Sequence, residues 1–259
     1  MVPPAHRAFV NHALEVFEAD ARFVGVAAAG SWIAGTMDVH SDVDLVAVAR
    51  ASALDEVMAD RRAVLDRLGP VLAAFTGEHV GEPRLMIALY GPPLLHVDVK
   101  FVGVDDLARR VEDPVVLWER DGVVSRAIAS SASHWPQPDW QRTEDRFWVW
   151  VHYAATKLAR GELYEALDCL AFLRGTVLVP LAATARGRNA RGVRFLERDL
   201  PDVAVALRAT IAGYDEKEIR AAVTATIAFY RGLREESAPP TLVQREAAER
   251  AAVAFLGGA

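Results

Sequence analysis

Gly30-Ser31-Trp32-Ile33-Ala34-Gly35-Thr36-Met37-Asp38-Val39-His40-Ser41-Asp42-Val43-Asp44 joins a glycine-serine turn to two carboxylates. The preceding run, Phe23-Val24-Gly25-Val26-Ala27-Ala28-Ala29, is apolar and predicts a buried strand. Gly30-Ser31 then falls where a strand is expected to turn into a helix, whose first backbone N–H groups are free to meet phosphate oxygens. Gly30 allows close backbone approach and the Ser31 hydroxyl adds a hydrogen bond. Asp42-Val43-Asp44-Leu45-Val46-Ala47-Val48 resumes a strand, and its period of two sends Asp42 and Asp44 to one face. Carboxylates are depleted in strands, so two at the head of an apolar run suggest hard oxygen ligands for Mg²⁺.

A second strand alternates just as clearly. In Leu94-Leu95-His96-Val97-Asp98-Val99-Lys100-Phe101-Val102, Leu95, Val97, Val99 and Phe101 share one face, with His96, Asp98 and Lys100 on the other. A solvent-facing polar side would read the same way. His96 and Lys100 suit either that or phosphate contact.

The Gly-Ser turn followed by Asp-x-Asp resembles the signature of the DNA polymerase β-like nucleotidyltransferase superfamily. That resemblance implies a third carboxylate on a neighbouring strand, for which Asp98 is the candidate, as metal ligand or as general base. It also implies ATP as co-substrate, two Mg²⁺ ions held by Asp42, Asp44 and Asp98, and nucleotide contacts from Gly30 and Ser31. Glu78 and Glu82 are the next candidates for the base.

Composition fits an enzyme acting on a small molecule. The chain has 259 residues, 52% of them hydrophobic, enough for one large or two modest cores. A net charge of −6 argues against a long nucleic acid, which demands a broad basic surface. The local exception, from Arg186 through Arg188, Arg191 and Arg194 to Arg198, reads as a solvated loop. No apolar stretch predicts a membrane span, and Met1-Val2-Pro3-Pro4 lacks the regions of a signal peptide. The single Cys169 excludes an internal disulfide and fits a cytoplasmic protein.

Character changes near residue 135. Up to there, strands at about 23–29, 43–49, 84–90 and 94–102 alternate with helices at about 5–20 and 52–68. After Ser133-His134-Trp135-Pro136-Gln137-Pro138 the helical period dominates, at about 140–160, 162–185, 201–212, 216–235 and 241–256, the last opening on a Thr241–Gln244 capping box. The expected architecture is α+β, with a small mixed-sheet catalytic domain over 1–134 followed by an all-helical substrate-binding domain over 135–259.

On the first of those later helices Arg146, Trp150, Tyr153, Lys157 and Arg160 form one stripe. The run from Phe147 to Arg174 is similar to the C-terminal domain of lincosamide and aminoglycoside nucleotidyltransferases, which makes Lys157 a phosphate-contact candidate. Glu162, Glu165 and Asp168 either meet a cationic acceptor or serve the helix dipole. The function implied is transfer of AMP from a nucleoside triphosphate to a hydroxyl of a small molecule, an aminoglycoside or lincosamide among the acceptors, with pyrophosphate released. Two alternatives stay open: a toxin-antitoxin nucleotidyltransferase that adenylylates a partner protein, and a catalytically silent nucleotide-binding protein. The oligomeric state is open too, a homodimer being one option.

Overall fold

The structure, a computed structural model, describes residues 1–258 and divides into two compact units, Met1–Trp135 and a second that begins at Pro136. In the first, α1 (Pro4–Ala19) and α2 (Leu54–Leu68) cover one face of a six-stranded sheet. The strands are β1 (Phe23–Ala28), β2 (Val43–Ala49), β3 (Val71–Gly77), β4 (Glu82–Tyr90), β5 (Leu95–Gly103) and β6 (Val115–Glu119), in the spatial order β3-β4-β5-β2-β1-β6. All neighbours are antiparallel except β2 and β5, which run parallel.

Periodicity explains the sidedness. Val10, Ala13 and Phe17 recur at helical spacing on α1, and Val57, Val64, Leu65 and Leu68 do so on α2. They pack on Val43, Leu45 and Ala47 of β2 and on Val97, Val99 and Phe101 of β5, all nearly solvent-free. Burial of each Val, Leu or Phe side chain among them contributes about 1.5–3 kcal/mol. The intervening residues face the other way. Farther along that second face, Val24, Val48, Val102, Leu107 and Val124 make a smaller cluster under α3 (Val123–Ala129).

Three elements of the first unit went unread in the sequence: β3, β6 and α3. β3 is an edge strand with Leu72 and Phe75 exposed, so neither alternation nor continuous burial marks it. Two expectations are corrected. No α-helix follows β1: Gly30–Trp32 is a single 3₁₀ turn, and Gly35 at φ 64° ends the helical course before irregular chain leads to β2. Likewise the last helix starts at Glu246, because Thr241–Arg245 is held otherwise, with Gln141 bonding both the Val243 N–H and its carbonyl.

The second unit is helical: α4 (Trp140–Ala159), α5 (Leu163–Leu173), α6 (Val179–Ala185), α7 (Leu196–Asp199), α8 (Pro201–Leu207), α9 (Glu216–Ser237) and α10 (Glu246–Gly258). A π-helical turn, Arg174–Leu178, joins α5 to α6. The stretch Leu163–Ala185 is long and apolar enough by composition to cross a membrane, and a little over half of its apolar window is buried in this unit's own core. At the centre of that core Phe147 stacks on Tyr230 with ring centroids 3.8 Å apart.

Candidate active site

Strand pairing builds the site. In the parallel β2–β5 ladder Asp44 stands opposite Asp98, and Val46 opposite Lys100. Paired residues share a sheet face, so the two carboxylates project together on the side away from α1 and α2. Asp42 lies just before β2. Its carboxylate is 3.4 Å from His96 Nδ1, while His96 Nε2 is 3.0 Å from Asp98 Oδ1, so one imidazole spans Asp42 and Asp98. The alternation of β5 alone does not distinguish this role of His96 from a solvent-facing one.

Gly30 is pressed against Asp44. At φ 57° it occupies the left-handed region that glycine enters without penalty, and a Cβ there would overlap the Asp44 carboxylate. The turn is also anchored to β2, since the Ala29 N–H donates to the Asp44 carbonyl at 2.9 Å. Ser31 opens the turn one residue on, and the Thr36 N–H bonds its carbonyl at 3.1 Å. Because the turn is only three residues long, any anion affinity comes from local N–H groups rather than a helix macrodipole.

The approach to Asp42 is braced by residues that carry no motif. His6, 3% exposed, lies 2.8 Å from the Ser41 carbonyl through Nε2. The Asp38 carboxylate accepts from the His40 N–H at 2.9 Å and from the Ser41 hydroxyl at 3.2 Å, and the first of these holds its pKa below the usual aspartate range. A short Asx turn thus delivers the chain into β2.

Beyond Asp98 an alternating ion chain crosses the same face. Lys100 meets Glu82 at 2.6 Å, Glu82 meets Arg84 at 2.8 Å, Arg84 meets Asp106 at 3.0 Å and Asp106 meets Arg109 at 2.8 Å. Arg84, then Lys100, pulls the Glu82 pKa down to about 2 against the cost of burial. A carboxylate so committed is a poor proton acceptor near neutrality. Glu78 accepts from the Thr76 hydroxyl beyond the edge of the sheet, and that contact lowers its pKa.

Magnesium is the ion whose fit must be tested. The donor set suits it, since Asp42, Asp44 and Asp98 offer hard carboxylate oxygens and two of them stand in register. Among the described residues no three acidic, histidine or cysteine side chains converge on one point as placed. The His96 ring standing between Asp42 and Asp98 accounts for part of that. Mg²⁺ seldom needs such a cage, because one or two carboxylates plus substrate phosphates and water complete its octahedron.

Lys157 lies in the helical unit, near the end of α4. Its ammonium is 2.6 Å from Glu162, which raises its pKa, and lies 5.1 Å from the centroid of the Tyr153 ring. Arg160 shares Glu162 at 2.8 Å, and the Tyr153 hydroxyl donates to Glu165. Tyr153, Lys157 and Arg160 of the stripe therefore close the α4–α5 corner, with Glu162 and Glu165 already engaged, while Arg146 bonds the Arg142 carbonyl within α4.

Comparison with known proteins finds loose likeness only. No family model and no curated protein matches the sequence. Among solved structures the fold is similar to an aminoglycoside 6-adenyltransferase from Bacillus subtilis, at 15% identity over 97% of both chains with a TM-score of 0.40. It is also similar to a nucleotidyltransferase-like protein from Exiguobacterium sibiricum 255-15, at 14% identity over 98% of this chain and 89% of that one, TM-score 0.39. At such scores no residue role or substrate passes from one protein to another.

Proposed function

We propose that this protein transfers a nucleoside monophosphate, most simply AMP from ATP, to a hydroxyl group of a small molecule and releases pyrophosphate. The observation that carries the reading is Asp44 facing Asp98 across parallel strands, with the Gly30 backbone packed on the Asp44 carboxylate. Two acids and a glycine-serine turn on one rigid sheet are what phosphoryl chemistry asks of a protein, which is mainly positioning and charge compensation.

Asp42 and Asp44 would hold Mg²⁺. Bound there, two such ions neutralise the triphosphate and lower the acceptor hydroxyl's pKa. Gly30 leaves room for the phosphate tail, and Ser31 donates its hydroxyl to a terminal oxygen. Asp98 takes the proton of the attacking hydroxyl as the new bond from oxygen to the α-phosphorus forms and the bond to pyrophosphate breaks. His96 stands 3.0 Å from Asp98 Oδ1, beside the proton's destination. The motif resemblance directs the first acceptor screen to aminoglycosides and lincosamides.

The test follows pyrophosphate release from Mg²⁺-ATP across that panel. Wild-type protein should turn over with at least one hydroxylated acceptor. Asp44→Asn should lose about 10²-fold or more, since it keeps the side-chain shape and removes a negative ligand. Asp98→Asn should lower the turnover number by about 10²–10⁴ with little change in ATP affinity. Wild-type rates in both variants would overturn the assignment.

A further inference from the structure

Next to the carboxylates, on the same sheet face, lies a cavity of about 210 Å³. Its floor is Val46, Lys100 and Val102, one wall is Ala29 and Ile33 from either side of the Gly30–Trp32 turn, and the facing wall is Leu107, Val111 and Pro114. Resting on the nucleotidyl-transfer reading, we propose that this cavity receives the purine ring of the nucleotide co-substrate.

Three observations carry it. The first is charge. Arg84, Lys100, Arg109 and Arg110 line the cavity with Asp106 and Glu112, and each cation already has an acid partner: Glu82 and Asp106 for Arg84, Glu82 for Lys100, Asp106 for Arg109 and Asp113 for Arg110. Arg110 also bonds the carbonyls of Leu107, Ile128 and Ser131. Cations so spent have little left for a phosphate, so the occupant is uncharged and largely apolar with a polar edge, as a purine is.

The second is distance. Val46 and Lys100 lie two residues along their strands from Asp44 and Asp98, about 7 Å at the rise of a β-strand. That is the separation a ribose spans between the α-phosphate and its base. The turn that would read the phosphates also walls the cavity, so one element holds both ends of one molecule. In-line attack places the acceptor opposite the leaving pyrophosphate, and on the other side of Asp98 the paired residues His96 and Leu89 present an exposed surface to it.

The third is Ile33. This half-buried side chain belongs to none of the three apolar clusters of the described residues and faces the cavity instead. An isoleucine outside every apolar cluster, on the wall of a cavity, is placed to pack on a ring.

Titration calorimetry with Mg²⁺-ATP, Mg²⁺-tripolyphosphate and adenosine tests this on wild type, Val111→Trp and Ile33→Ala. Val111 is 48% exposed, so tryptophan there plugs the rim without entering the core. Both variants should melt as wild type does, bind ATP and adenosine about tenfold more weakly, which is about 1.4 kcal/mol, and bind tripolyphosphate unchanged. Folded variants with wild-type affinity for ATP and adenosine would overturn the cavity assignment while leaving the transferase reading intact. Should wild type bind neither ATP nor tripolyphosphate, the transferase reading falls; adenosine binding that both variants weaken would then uphold the cavity, and its absence would overturn it. Photolabelling of wild type with azidoadenosine needs no variant. Label within residues 107–114 supports the proposal, and label confined elsewhere overturns it.

Discussion

Gly30 and Asp44 show how much one backbone angle carries. A residue with a Cβ at φ 57° meets strain of about 1–2 kcal/mol, and here the added atom also drives into the Asp44 carboxylate. Gly30→Ala should therefore keep the fold with a lower melting temperature while turnover falls well below a tenth of wild type, because the carboxylate is displaced. Ser31→Ala moves no backbone, and its effect stays within the 1–2 kcal/mol, roughly, of one hydrogen bond to a charged group. Melting curves and pyrophosphate assays on both variants check this. Full turnover in Gly30→Ala would show that the contact does not position Asp44.

At the scale of elements, the carboxylate that matters most for stability lies in the helical unit. Glu144 on α4 is fully buried and accepts from the Trp148 indole at 3.0 Å, the Tyr230 hydroxyl of α9 at 2.6 Å and the Arg245 N–H before α10 at 2.9 Å, with Arg234 at 3.2 Å. Burial works against its charge, but the Tyr230, Arg245 and Trp148 bonds outweigh that and hold its pKa below the ordinary 4.5. A depressed carboxylate contributes stability above its unfolded pKa that is lost as pH falls through the folded one. Glu144→Gln should thus cost about 2–4 kcal/mol near neutrality. It should also make unfolding less steep between pH 4.5 and lower values than in wild type. Denaturant titrations at several pH values decide, and a wild-type acid profile in Glu144→Gln would mean that other carboxylates govern acid unfolding.

At the scale of the molecule, each unit closes its own core. The largest apolar cluster draws only on residues between Phe147 and Leu256, and the other two only on residues between Val10 and Val124. Residues 132–139 between them carry no helix or strand. Residues 136–258 expressed alone should accordingly give a helical circular-dichroism spectrum and a cooperative melt. A fragment with helical signal but no cooperative transition would show that its core is incomplete without the first unit.

What the sequence determined by itself is what local periodicity encodes. Strands β1, β2 and β5, helices α1, α2, α4 and α9, and the side of its strand on which Asp44 or Asp98 lies follow from periods of 2 and 3.6, which neighbouring residues carry. The exposed edge strand β3 has no such signature, and the Gly30–Trp32 turn stayed a turn because Gly35 interrupts it within six residues. Tertiary structure alone decided that β2 and β5 are adjacent, parallel and in register at Asp44 and Asp98, a pairing across 54 residues that no local rule selects. It also decided which charges are spent. Lys157 reads as a phosphate contact and Glu82 as a candidate base, yet each is committed to an ion-pair partner, and nothing local to Glu144 shows that it is wholly buried. The energy of a charge depends on who stands beside it and how much water remains, and only the folded chain sets either.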